Sequence, residues 1–218
     1  MLDFLDNDNP LLRHSSKSWL LDSIPFLYRI IDPIFEILMQ INSNPLVAGE
    51  HHLKLYTTET QQLFFTDVYD TEIVQDSFKK LKSILITSSE LFIRYIIQIE
   101  ASERLKNHVQ FFEDNELSLA EPCTYLDLLF VLCLRYIQGH AIESLSPKFQ
   151  IQNASVNASA SEFMELLISH IESDELSSKM THFVMEPLLT VLHHAICNSD
   201  YVLQVQLLNL LKVILLQS

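Results

Sequence analysis

Apolar residues recur at three- and four-residue spacing over most of the chain, and helix-start signals bound the recurrences. Asn9-Pro10 reads as an N-cap followed by proline at the first helical position, and LLRHSSKSWLLD carries the pattern through Leu11, Leu12, Trp19 and Leu20. Ser23 is placed to cap IPFLYRII, after which Asp32-Pro33 either kinks that helix or restarts it as PIFEILMQI. The pattern then fades. Gly49 and mixed polar runs predict a long loop or insertion over 42–69, with a short extended piece at LFF. From Asp70 it resumes as TEIVQDSFKKLKSIL, followed by the capping-box signature Thr87-Ser88-Ser89-Glu90 and LFIRYIIQIE. A short helix is expected around KNHVQFFEDN. A second capping signature, Thr124-Tyr125-Leu126-Asp127, opens LLFVLCLRYIQ, with Gly139 where a C-terminal cap belongs. ESLSPKFQIQNASVNA reads as a loop. Ser159 to Glu162 then caps FMELLISHIE, Ser173 begins DELSSKMTHFVMEPLLTVLHHAI, and a last helix covers about Asp200 to Leu216.

No strand-like alternation competes with these helices, so the expected fold is all-α, one segment over 1–218. LLFVLCLRYI and LLNLLKVILL are apolar on more than one stripe and must be covered on several sides. A weak repeat lies within the pattern. Residues 30–38 around Pro33 match 184–192 around Pro187 in type at nearly every position, 154 residues apart. Leu12-Arg13 and Val205-Gln206, each a few residues after an acid, Asp8 or Asp200, are 193 residues apart. Both offsets are close to multiples of about 38.6, near the lower end of the HEAT or armadillo period. That spacing puts helices near 89, 128 and 166 and fails near 51 and 148, where loops are expected. A HEAT/armadillo-like α-solenoid segment is the expected architecture.

Composition narrows function by exclusion. Only two glycines, Gly49 and Gly139, are present, so neither a dinucleotide-binding nor a P-loop phosphate cradle can be written. The net charge of −14, from 28 acidic and 14 basic side chains, opposes phosphate backbones and argues against nucleic acid. Cys123, Cys133 and Cys197 have no pairing or metal spacing and sit among apolar neighbours, as reduced, buried thiols do. The N-terminus lacks the basic and apolar runs of a signal peptide. The sequons at Asn153 and Asn157 are therefore read as coincidental. Gln204, Gln206, Asn209 and Lys212 interrupt the apolar C-terminus, against a transmembrane span.

RHSSKSWLL, residues 13–21, clusters a histidine, three serines, a lysine and the chain's only tryptophan. Serine on a regular helix has no oxyanion amides beside it, and His14 with Ser18 lacks a third orienting group, so packing explains the cluster better than catalysis. HEAT-like second helices run acid, aliphatic-Arg, small residue, leucine, and Asp8, Leu12-Arg13, Ser16 and Leu20 fit that order. Arg13 is then expected to meet an acid on the adjacent repeat, while Trp19 and Leu20 fill core. Asp32 and Glu186 before their prolines read as repeat positions. His51-His52 and His193-His194 diverge on a helix, and His182 is too far from His193 to share a metal. No catalytic, cofactor or metal residue is assigned. Lys79, Lys80 and Lys82 in SFKKLKSILI are candidates for lipid or partner contact, against the alternative of a solvated helix face.

LLRHSSKSWLLDS, FLYRIIDPIFEIL, TYLDLLFVLCLRYIQG and MEPLLTVLHHAI together resemble segments of the Dopey proteins, large leucine-rich scaffolds of the Golgi and endosomes. The resemblance implies a piece of a much longer chain. It also implies a non-enzymatic, peripheral role in traffic between endosome and trans-Golgi. The partners it implies are a Mon-family scaffold and an aminophospholipid-translocating ATPase. A peripheral membrane-binding helical domain is the alternative expectation.

Overall fold

A computed structural model describes residues 1–39, 70–106, 124–139, 147–171, 184–197 and 199–217. The expected loop over 42–69, the short helix at KNHVQFFEDN and the helix start at Ser173 lie outside the described residues. The fold is all-α. Among the described residues there is no strand, only an isolated bridge between Glu100 and Thr124. A 3-10 turn at Leu2–Phe4 leads into α1 (Pro10–Ser23), a second at Ile24–Phe26 into α2 (Tyr28–Met39). Then come α3 (Thr71–Thr87), α4 (Ser89–Gln98), the short α5 (Glu103–Lys106), α6 (Tyr125–Gly139), α7 (Pro147–Ser169), α8 (Met185–Cys197) and α9 (Tyr201–Gln217).

Caps set several boundaries. Asn9 Oδ1 accepts from Leu11 N–H ahead of Pro10, Asp70 Oδ1 accepts from Glu72 and Ile73 N–H, and Asp200 Oδ1 accepts from Leu203 N–H. At α6 the capping box forms as expected, though with aspartate at its third position. Asp127 Oδ2 accepts from the Thr124 N–H and hydroxyl, and Asp127 N–H donates to Thr124 Oγ1. The cap expected at Ser23 and the box expected from Thr87 to Glu90 do not form; Thr87 ends α3 and Ser88 takes the cap position. Ser23 closes α1 and donates to the Trp19 carbonyl, and Ser88 donates to the Ile84 carbonyl, because a serine hydroxyl within reach of the preceding turn bonds backward. Gly139 ends α6 without positive φ; among the described residues that conformation belongs to Ser199 (φ 56°), between α8 and α9. There Ser199 N–H returns to the Ile196 carbonyl and Asp200 N–H to the Ala195 carbonyl, a Schellman closure.

The loop expected over 143–158 is largely helix: α7 starts at Pro147, and Ser159 to Glu162 lie inside it. Its small polar run forms a close-packing face. Asn157, fully buried, donates to the Ile137 carbonyl and accepts from Ser161 Oγ, with Val156 and Ala160 buried beside it. Small residues let α7 approach α6 and α3 closely. Of the two outcomes expected at Pro33, a kink or a restart, the restart does not occur: α2 runs through it.

Helix contacts arrange the chain in two layers. α2 meets α6 through Tyr125, whose hydroxyl donates to Asp32 Oδ1 at 2.7 Å, and through Tyr136, whose hydroxyl donates to the Leu38 carbonyl. Phe35 meets Tyr125 edge-on. α6 in turn contacts α8; α3, α7 and α9 follow one another in the other layer. α2 pairs with α3, α6 with α7 and α8 with α9 across the layers, while α4 touches both α3 and α6. α6 is buried nearly all round, from Tyr125 to Leu134 and at Tyr136 and Ile137, as its several apolar stripes require. Phe78 joins the layers by meeting Tyr136, and meets Phe163 within its own layer.

Candidate functional site: an apolar groove between α2 and α3

The N-terminal turn is fastened to α3. Leu5 is buried, Ser83 Oγ donates to Asp6 Oδ2 at 2.5 Å, and Lys80 Nζ bridges Asp76 (2.6 Å) and Asp3 (3.5 Å). The hydrogen bond to Asp76 is the main reason the Lys80 ammonium is held above its usual range. Between this turn, α2 and α3 lies an open groove of about 760 Å³. Its α2 wall is Ile30, Pro33, Ile34 and Ile37, an i, i+3, i+4, i+7 stripe, and Ile73 stands on the α3 wall. Trp19 and Leu2 complete the apolar lining. Asp3 and Asp76 also line an adjoining recess of about 330 Å³, together with Asp6, Asp8 and Lys79. The apolar trough thus opens into an acidic end.

Three residues singled out in the sequence, Trp19, Pro33 and Lys80, meet in this groove. The others are dispersed. Arg13 is exposed and donates to the Asn7 carbonyl at 3.4 Å, in place of the acid expected on a neighbouring repeat. Asp32 is half-buried under Tyr125. Lys79 is exposed in the acidic recess, and Lys82 is paired with Glu162 on α7. Burial, and secondarily the charge of Glu162, raises the Glu165 carboxyl. Glu186 and Pro187 lie in the first turn of α8, their side chains outside those described.

Of the opening cluster, Ser16 is buried at 1% exposure while His14, Ser15, Lys17 and Ser18 face outward. His14 and Ser18 are exposed and line neither the groove nor its recess. His193 Nε2 approaches Cys197 Sγ at 3.7 Å on the exposed side of α8. Among the described residues no group of three His, Cys, Asp or Glu side chains is placed to hold a metal, and no helix is long and apolar enough to cross a membrane.

Ile37 and Ile73 were missed in the sequence, and α2 did carry the signal. Its apolar residues fall on two stripes: 31, 34, 35 and 38 are buried in the core, and 30, 33 and 37 flank the groove, with Ile34 at its floor. The chain matches no family model, no curated protein and no solved structure.

Proposed function

We propose that the chain is a helical-repeat segment of a non-enzymatic scaffold that acts by protein–protein contact in traffic between endosomes and the trans-Golgi. The observation that carries this reading is the two-layer pairing of α2/α3, α6/α7 and α8/α9, which leaves a long apolar groove along its first pair. Stacked helix pairs expose such surfaces for partners. The sequence repeat supports it: the matching stretches 30–38 and 184–192 fall in α2 and α8, members of one layer. The resemblance to the Dopey proteins supplies the compartment and the partners, a Mon-family scaffold and an aminophospholipid-translocating ATPase, with peripheral attachment to Golgi or endosome membranes.

Direct lipid binding through Lys79, Lys80 and Lys82 has less support, since carboxylates already hold two of the three. The deciding experiment is affinity purification of the tagged full-length protein from its own cells, with mass spectrometry of what co-purifies. Golgi or endosomal scaffold and flippase subunits are expected. Recovery of unrelated metabolic or nuclear proteins alone would sink the reading.

A further inference from the structure

The geometry points to one occupant for the α2/α3 groove: a basic amphipathic helix of a partner protein, lying with its apolar face in the trough and its lysines or arginines over the acidic recess. This deepens the scaffold reading and rests on it. Two observations converge. Ile30, Pro33, Ile34 and Ile37 form an apolar stripe on one wall, and on the other Ile73 stands among polar residues of α3, so one apolar edge is offered to a third helix with the same spacing. Charge then selects the partner. Asp3, Asp6, Asp8 and Asp76 line the recess against Lys79 and Lys80, and Lys80 is already committed to two of the four carboxylates. Arg29, also on the groove wall, stacks on the preceding turn, its guanidinium 5.2 Å from the centre of the Phe26 ring and its Nε donating to the Tyr28 hydroxyl. Carboxylates outnumber cations along the groove and its recess, on a chain of net charge −14. An acidic helix, a phosphate group or an anionic bilayer meets repulsion there; a cationic helix is steered in.

Trp19, the chain's only tryptophan, lines the groove and reports on its occupancy. The experiment titrates the 218-residue chain with a tryptophan-free synthetic helix carrying leucines at i, i+3, i+4 and i+7 and lysines at one end. A control peptide has the same leucines with glutamates replacing the lysines. Expected are a saturable change in Trp19 emission with the basic peptide, at least roughly tenfold weaker binding of the acidic one, and a similar loss when salt is raised. Ile73→Glu, at a half-exposed position, is expected to abolish the response while leaving the far-UV circular dichroism and the thermal midpoint unchanged. Asp8→Lys with Glu72→Lys is expected to weaken it roughly tenfold.

Equal binding of both peptides, an unchanged Trp19 emission, or full binding to the Ile73→Glu variant would overturn the inference. If the inference fails while trafficking partners still co-purify with full-length protein carrying Ile73→Glu, the scaffold reading stands without this groove.

Discussion

Ser199 carries a backbone conformation that suits glycine, yet its N–H and that of Asp200 close the end of α8. A side chain at positive φ costs free energy that glycine does not incur. Ser199→Gly is therefore expected to stabilise the chain by about 0.5–1 kcal/mol, read as a rise in urea midpoint. Tyr125 offers the opposite case. Burial first, then its bond to Asp32, raise the phenol above its usual 10.0. A phenol kept protonated in the fold but free to ionise when unfolded stabilises below pH 10, and that contribution is lost as pH rises past it. Tyr125→Phe is expected to cost about 1–2 kcal/mol at neutral pH by removing a partner of Asp32. The same variant should show a shallower loss of stability between about pH 9 and 11, the span in which tyrosine ionises. Burial raises the Cys133 thiol as well, and this contribution, with the same sign, persists in the variant. Capping at Thr124 and Asp127 was legible because both partners lie within four residues. The reversed bonds of Ser23 and Ser88 were not, since a serine at a helix boundary can serve either turn.

At the scale of elements, α7 and α9 show what an apolar pattern does and does not say. NASVNASA looks like a loop because asparagine and serine compete with the helix backbone in an isolated peptide. Where α7 packs against α6 and α3, Val156, Asn157 and Ala160 of that run are buried and permit close approach. Ala160→Leu is expected to cost about 1–3 kcal/mol by overfilling that contact, measured by chemical denaturation. α9 was legible as a helix, but which of its stripes is covered was not. Leu203, Leu207, Leu210 and Ile214 are buried, while Val202, Val205, Leu208, Leu215 and Leu216 are each more than half exposed on the opposite side. Leu207→Ala is expected to cost about 2–4 kcal/mol. Leu208→Glu, one residue along, should change stability by less than about 0.5 kcal/mol. Equal effects in the two thermal melts would show that the burial on α9 is misassigned.

For the whole molecule, the all-α class followed from periodicity, because most of the helices declare themselves within a dozen residues; the first half of α7 did not. The groove did not, since it is made by two helices on either side of the interval 40–69. No local pattern links Ile37 to Ile73. Long-range pairings such as Tyr125 with Asp32, or Lys82 with Glu162, were hidden for the same reason.

Asn157 begins an N-x-S sequon, and in the folded chain its amide is sealed between α6 and α7. Oligosaccharide is transferred to asparagine before helices have closed over it. A sugar there could not be accommodated at the α6/α7 contact and would hold those two helices apart. Glycosylation at this asparagine and completion of the core are mutually exclusive outcomes for one polypeptide, so any molecule that has reached this fold did so with Asn157 unmodified.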